Sequence, residues 1–153
     1  MNRLLIVTGV LLLSGCVTAP RPLQGEFAAV GPRDALKADL TGERVRWGGR
    51  LLEVAGFEAH TCFLVAGEPL GDDARPYMRG QGQGRFLACR AGTYDPAVFA
   101  PGRAVTFAGT LAGADVHEIG GGFRLPLVEA DVVYLWPEAL GSARVPTPSP
   151  YAW

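Results

Sequence analysis

The run Val45-Arg46-Trp47-Gly48-Gly49-Arg50-Leu51-Leu52-Glu53-Val54 decides the fold class of this 153-residue chain. Its β-branched, aromatic and aliphatic side chains fit a pleated, half-buried surface, which is typical of a β-strand. Gly48-Gly49 interrupts the run and predicts a bulge or a sharp bend, because glycine permits backbone angles that other residues resist. The sequence around residue 50 therefore predicts β structure.

Four more apolar runs follow this first strand along the chain. We predict strands at residues 61–66, 85–90, 104–111 and 123–136, separated by stretches rich in glycine, proline and polar residues. Residues 31–40 predict a short helix that ends at Gly42. Between the third and fourth strands, Asp95-Pro96 predicts the start of a second short helix, because Asp is a good N-cap and proline fits the first helical position.

Three strands, a short helix and two strands are the element order of an OB-type barrel. We therefore predict a mainly β fold, a small five-stranded OB-like barrel over residues 31–137 with one short helix between strands 3 and 4. An open β-sandwich is the alternative. The length suits one domain.

Two cysteines lie in the predicted second and third strands. If these strands pair antiparallel, Cys62 and Cys89 can lie opposite each other at disulfide distance. A bridge that closes a loop of about 27 residues stabilises a fold by about 3–4 kcal/mol in the chain-entropy model, and an exported compartment favours it. The alternative is a pair of small buried hydrophobic residues.

The N-terminus has the parts of an export signal. A cationic start with Arg3 precedes an apolar run at residues 4–13, which is too short to span a bilayer. The following Leu13-Ser14-Gly15-Cys16 resembles a bacterial lipobox, in which the cysteine thiol receives a diacylglycerol before cleavage. Residues 1–15 are therefore predicted to be a lipoprotein signal peptide; an uncleaved membrane anchor is the alternative.

Cys16 is predicted to become the acylated, palmitate-bearing N-terminus. Stable anchoring takes more than one acyl chain, and a triacylated Cys16 exceeds that threshold. By analogy with lipoproteins in which Asp at the next position retains the protein in the inner membrane, Val17 favours the outer membrane. We expect a lipid-anchored domain that faces the periplasm.

The segments on either side of the predicted barrel are rich in proline. Residues 16–30 contain Pro20, Pro22 and Gly25 without apolar periodicity, which predicts a tether that lets the domain stand off the membrane. Residues 138–153 predict an extended, proline-rich tail.

The charge balance is weakly acidic. The chain has 14 Lys+Arg and 15 Asp+Glu, and loss of Arg3 with the signal leaves a net charge of about −2. Nucleic-acid binding needs a basic face, so nucleic acid is not an expected partner.

Several short motifs are spread from about residue 43 to residue 137. The most distinctive are Arg46-Trp47-Gly48-Gly49, preceded by Val45, and Leu135-Trp136-Pro137. The others are Pro69-Leu70, Arg75-Pro76, Gly84-Arg85-Phe86, Asp95-Pro96, Gly102-Arg103, Val105-Thr106 and Ile119-Gly120. In these motifs the chain resembles the Slp family of Gram-negative outer-membrane lipoproteins, known for starvation-inducible members.

The resemblance implies an outer-membrane location and an envelope or stress role, and it implies no catalytic residue. Cys62 and Cys89 depart from the usual family pattern, and their occurrence as a pair fits a lineage-specific disulfide.

Residue types that carry catalysis or bind metals are sparse. After Cys16 the only serines are Ser142 and Ser149 in the tail, and no GxSxG motif is present. His60 lies two residues from Cys62, but alternate residues of a strand share a face, so this proximity carries no catalytic signal. The best metal candidates, His117-Glu118 and Asp72-Asp73, lack ligand spacing. We expect no catalytic residue, cofactor or metal.

Trp47, Trp136 and Arg46 are the candidate ligand-binding residues. An exposed aromatic ring on an OB face can stack on a sugar or a base. The alternative is that both tryptophans are core or barrel-closing residues, and burial of both would count heavily against binding.

Three functions follow in order of preference. The first is a non-enzymatic structural or interaction module of the cell envelope. The second is a binding module for a small envelope ligand or glycan on the barrel face. The third, an enzyme acting on cell-wall material, needs a pair of acidic residues that the sequence does not supply convincingly. An envelope protein or glycan partner is compatible with the sequence but not named by it.

Overall fold

The computed structural model describes residues 16–116, 119 and 121–138. The predicted signal peptide, nearly all of the predicted tail and the His117-Glu118 pair lie outside the described residues. The described strands are β1 (Arg44–Gly56), β2 (His60–Glu68), β3 (Arg85–Ala91), β4 (Ala104–Val116) and β5 (Arg124–Leu135), preceded by a 3-10 turn (Arg21–Leu23) and a one-turn helix, α1 (Pro32–Ala35). Within the described ranges no helix is long and apolar enough to cross a membrane.

The five strands close into a barrel in the order β1-β2-β3-β5-β4. Neighbouring strands are antiparallel except β3 and β5, which pair in parallel over only three positions. Closure leaves no long sheet edge open to pairing with another chain. The predicted mainly β, five-stranded OB-like barrel is confirmed, and the open sandwich is excluded.

The helix predicted between β3 and β4 is wrong, because residues 92–103 form turns only. Asp95 still caps a turn: its carbonyl accepts the N–H of Phe99 at 2.9 Å, and its carboxylate accepts the N–H of Ala97 at 2.8 Å. The turn ends at once, before Pro101-Gly102. The rings of Tyr94 and Phe99 pack on Phe63 inside the barrel, so tertiary packing prevails over local helix signals.

The helix predicted over residues 31–40 is limited to α1. Its continuation is replaced by a turn in which the Asp39 carboxylate accepts hydrogen bonds from the Thr41 backbone N–H at 3.1 Å and the Thr41 hydroxyl at 2.7 Å. Asp and Thr side chains that bond nearby backbone compete with helix formation.

Gly48-Gly49 lies where β1 passes from one neighbour to the other. Gly49 is paired with Gly67 of β2 on one side and Val105 of β4 on the other. A Cβ on Gly49 would lie 1.9 Å from the carbonyl oxygen of Ala66. These glycines thus permit a close approach of backbones, while the bulge in β1 falls later, at Leu52.

The main core fills the barrel interior. Phe63 contacts Phe107 and Phe99 at ring-centroid distances of 5.3 and 5.5 Å. The other large, fully buried side chains of this cluster are Val45, Leu51, Val65, Phe86, Val105 and Val128. These residues alternate with outward-facing ones along each strand, as the pleat requires.

Two further apolar clusters lie on the outside of the barrel. The first, which we call the N-terminal cluster, joins Ala19, Leu23, Ala74, Ala108 and Trp136. The second, the leucine cluster, has as its buried members Leu64, Leu87 and Leu125. Successive strand residues point to opposite faces. Phe63 and Phe107 point into the barrel, so their neighbours Leu64 and Ala108 point outward, into these clusters.

The predicted tether at residues 16–30 is wrong for most of its length. Ala19 and Leu23 are buried in the N-terminal cluster, and the Ala28 N–H donates to the Arg44 carbonyl at 2.8 Å. Apolar periodicity is absent because the segment packs through single side chains and not as a helix or strand. We call residues 19–30 the docked segment.

Candidate functional site

Arg46 and Trp47 of β1 hold the docked segment from two sides. The Arg46 guanidinium, outside the barrel, donates to the Leu23 carbonyl at 2.7 Å and lies 5.1 Å from the ring centroid of Phe27. The Trp47 indole packs in the core and donates its N–H to the Val30 carbonyl at 2.6 Å. Adjacent strand residues face opposite ways, so one dipeptide can make both attachments.

A second set of contacts joins the end of β5 to the β2–β3 loop. The Arg75 guanidinium lies 5.5 Å from the Trp136 ring and donates to the Pro137 carbonyl at 3.2 Å. Arg103 donates to the Trp136 carbonyl at 3.0 Å. The Arg75-Pro76 and Leu135-Trp136-Pro137 motifs, far apart in sequence, therefore contact each other.

The structure does not bring Trp47, Trp136 and Arg46 together as a ligand-binding face. The two tryptophans are only 4% and 7% exposed, so neither ring is free to stack on a sugar. Arg46 is occupied by Leu23 and Phe27. This burial counts against the binding role considered for these residues, and their contacts are those of residues that hold the fold together.

Cys62 and Cys89 are directly opposite each other in the β2–β3 ladder and are joined by a disulfide. Their positions have the same parity as Leu64 and Leu87, so the bridge lies outside the barrel beside the leucine cluster. The neighbouring His60 stacks on Phe57, with ring centroids 4.8 Å apart.

A groove opens where β3 and β5 separate, and the sequence interpretation missed it. The parallel ladder ends at Cys89 and Glu129. Beyond it lies a space of about 440 Å³, bridged by a hydrogen bond from the Arg90 guanidinium to the Asp131 carbonyl. Its lining residues are His60, Cys89, Arg90, Ala91, Leu127, Glu129, Ala130 and Asp131.

Nothing in the linear pattern signals this groove, because it depends on pairing between strands that are not consecutive. An exposed aromatic side chain lies close to the groove. Phe57 is 52% exposed and stacks on His60, which lines the rim of the groove. A solvent-exposed aromatic ring is what the ligand-binding hypothesis requires of the tryptophans, and here Phe57 supplies it.

Among the described residues, two exposed carboxyl groups have a pKa that is shifted by a neighbour in the sequence. The Lys37 ammonium, 2.7 Å from Asp34, lowers the pKa of that exposed carboxyl, and the Thr41 hydroxyl lowers the pKa of Asp39. Glu68 is buried, and one of its carboxylate oxygens accepts the Gly80 N–H at 3.0 Å. Among the described residues no group of three or more His, Cys, Asp and Glu side chains is placed to hold a metal ion.

Cys16 is exposed and lies only three residues before the first buried residue of the docked segment, Ala19. The residue that is predicted to carry the lipid is thus joined almost directly to the barrel.

Two known proteins and one family model are similar to this chain. The chain is 32% identical over 126 residues to the uncharacterized lipoprotein YeaY of Escherichia coli strain K12, which covers 78% of this chain and 64% of that protein. It is 29% identical over 117 residues to the outer membrane protein Slp of the same organism, covering 71% and 60%. The chain therefore spans less than two thirds of the length of both relatives.

The family model described as the outer membrane lipoprotein Slp family matches residues 13–153, from the lipobox to the last residue. The match confirms the family resemblance of the motifs, several of which hold the N-terminal segment and the end of β5 on the barrel. This protein belongs to the outer membrane lipoprotein Slp family.

Proposed function

We propose that this protein is a lipid-anchored lipoprotein of the outer membrane whose barrel faces the periplasm and has a non-enzymatic structural or interaction role. The observation that carries the proposal is the placement of Cys16. It is the last residue of a lipobox and is exposed, and only Val17 and Thr18 separate it from a segment that packs on the folded barrel. Acylation there would attach the whole domain to a bilayer.

The family motifs support a structural role. Arg46 and Trp47 bind the docked segment, and Arg75 and Trp136 bind the β2–β3 loop to the end of β5. These side chains are engaged with the protein itself. Their arrangement favours a rigid domain held in a defined position at the membrane over a site that processes a substrate.

The direct test is intact-mass analysis of protein purified from membranes, beside a Cys16→Ser variant. We expect the mass of residues 16–153 plus acyl chains for the wild type and no acylation for the variant. Membrane fractionation should place the wild type in the outer membrane, and Val17→Asp should retain it in the inner membrane. A wild-type mass that retains residues 1–15 without acyl chains would contradict the proposal.

The orientation is tested by protease treatment of whole and permeabilised cells. A barrel that faces the periplasm is protected in whole cells and is cut, or released from its anchor, only after permeabilisation. Digestion in whole cells would place the domain on the outer surface and overturn that part of the proposal.

A second candidate is the binding of a small envelope glycan in the groove between β3 and β5. The specific observation that favours it is the exposed Phe57, stacked on His60 at the groove rim. Carbohydrate rings stack on such side chains, and OB folds bind oligosaccharides with the β2–β3 face and the loop between the first two strands.

This candidate predicts that soluble peptidoglycan fragments shift the amide NMR signals of His60, Arg90 and Asp131. Phe57→Ala should abolish the shifts, whereas Val98→Ala, at another exposed apolar side chain, should not. Fragments that leave these signals unchanged at millimolar concentration would remove glycan binding and leave the structural role.

A further inference from the structure

We propose that one side of the protein rests on the bilayer that carries its anchor, and that this side consists of residues 16–24 and the loop tip Gly71–Arg79. We call it the membrane face. The inference rests on the proposed acylation of Cys16 and adds to it an orientation of the barrel. Its occupant is a phospholipid surface.

The length of free chain sets the distance between barrel and membrane. Ala19 is buried and its carbonyl accepts the Gln24 side-chain amide at 2.7 Å, while Leu23 is fully buried under Arg46. After the proposed cleavage, only residues 16–18 precede Ala19, the first buried residue in the described part of the chain. Because extended chain spans at most about 3.6 Å per residue, the acylated cysteine lies within roughly 11 Å of Ala19. The barrel cannot stand off the membrane.

The β2–β3 loop shares the cluster on which the docked segment packs. Ala74 is buried beside Ala19 and Leu23 in the N-terminal cluster, and its carbonyl accepts the Thr106 hydroxyl at 2.8 Å. The loop is held further by hydrogen bonds from Gly71 to the Arg75 carbonyl and from Tyr77 to the Pro69 carbonyl, at 2.9 and 3.0 Å. Its tip is therefore a fixed neighbour of the anchor.

The exposed side chains of the membrane face suit the headgroup region. Val17 is 68% exposed and Tyr77 is 54% exposed, and the Arg79 guanidinium lies 5.6 Å from the Tyr77 ring. Tyrosine is enriched at membrane–water interfaces because one end is apolar and the other is polar. An arginine beside it can reach lipid phosphates while its stem stays on apolar surface.

The charges of this face nearly cancel, because it contains three arginines (Arg21, Arg75, Arg79) and two aspartates (Asp72, Asp73), a net charge of +1. Arg21 and Arg79 are exposed, and so is Asp72. The Asp73 carboxylate already accepts the Arg75 N–H at 3.0 Å. The net charge is therefore small, and the contact depends on the anchor and on apolar contacts, with weak salt dependence.

The test uses the acylated full-length protein reconstituted in vesicles of phosphatidylethanolamine and phosphatidylglycerol. An environment-sensitive fluorophore is attached at Tyr77→Cys, and at Glu58→Cys as the control in the exposed turn between β1 and β2. Lipids that carry a nitroxide on the headgroup then act as quenchers. We expect the fluorophore at position 77 to be quenched several-fold more strongly than that at position 58, with little change between low and high salt.

A second variant introduces a flexible linker between the acylated Cys16 and the barrel. A 12-residue Gly/Ser linker inserted between Thr18 and Ala19 has a root-mean-square length of about 17–21 Å. Quenching at position 77 should fall to the value at position 58, while the acylated mass remains. Equal quenching at 77 and 58 without the linker would overturn the orientation. Loss of acylation, seen by mass, would instead overturn the anchor.

Discussion

Trp136 donates its indole N–H to the Thr106 hydroxyl at 2.9 Å, and both side chains are buried on the outside of the barrel. The same hydroxyl donates onward to the Ala74 carbonyl at 2.8 Å. A hydroxyl can donate and accept at once, so one side chain satisfies two buried polar groups. The relay links β4, the end of β5 and the β2–β3 loop.

Thr106→Val should destabilise the protein strongly although it keeps the shape of the side chain. It leaves the Trp136 N–H and the Ala74 carbonyl without their partner, and we expect a loss of at least about 2 kcal/mol in the free energy of unfolding. Urea unfolding followed by tryptophan fluorescence measures it. Thr106→Ser retains the hydroxyl and should recover most of the loss; equal stability of the two variants would contradict the relay.

Gly49→Ala should be far more destabilising than Gly56→Ala, although both residues lie in β1. A Cβ at position 49 meets the Ala66 backbone oxygen at 1.9 Å, whereas a Cβ at position 56 meets nothing within 4 Å. Overpacking typically costs about 1–3 kcal/mol, and here the obstacle is backbone, so the loss should reach or exceed the upper value. Gly56→Ala should change stability by less than about 0.5 kcal/mol. Thermal unfolding of both variants is the measurement, and similar melting temperatures would refute the packing argument.

Reduction of the Cys62–Cys89 bridge should lower the stability without changing the fold. The bridge closes a loop with a sequence separation of 27 residues, for which the chain-entropy model gives about 3–4 kcal/mol. Chemical denaturation with and without reductant measures the difference. The double variant Cys62→Ala/Cys89→Ala should match the reduced wild type and show no response to reductant. An unchanged wild-type midpoint after complete reduction would show that the bridge does not stabilise the barrel.

Arg46→Met should release the docked segment and leave the barrel intact. The substitution keeps an apolar stem but removes the hydrogen bond to Leu23 and the cation over the Phe27 ring. Hydrogen exchange should accelerate in residues 19–28 and remain slow in β2 and β3. Arg50→Met, at an exposed position of the same strand, is the matched control. Uniform acceleration throughout the chain would mean that the segment and the barrel unfold as one unit.

The strand positions were predictable because each described strand carries a dense local signal. Residues 61–66 and 85–90 were predicted as strands, and β2 and β3 contain both runs. Helices were predicted less well. Asp95-Pro96 has the residue types of a helix start, but Tyr94 and Phe99 pack on Phe63 of the barrel core, a contact between distant residues that the local pattern does not show.

For the candidate functional residues, too, the sequence predicts local features but not contacts between distant segments. The motifs around Trp47 and Trp136 were recognised, but whether those rings are exposed depends on what covers them, and the cover comes from distant segments. Val30 accepts the Trp47 N–H, and Arg75 lies over the Trp136 ring. The groove beside Phe57 was missed for a related reason, since it exists only where β3 and β5 part.

By itself, the sequence determined the family, the β character, the candidate lipid-bearing Cys16 and the pair of cysteines that β2 and β3 bring together. These properties depend on short motifs and on alternation within single strands, both of which are local. Only the tertiary structure decided that the segment behind Cys16 is docked and not a loose tether. That outcome depends on contacts of Ala19 and Leu23 with Ala74, Ala108 and Trp136. The favourable free energy of removing apolar surface from water depends on which side chains contact each other in the folded chain, and a linear pattern does not specify those contacts.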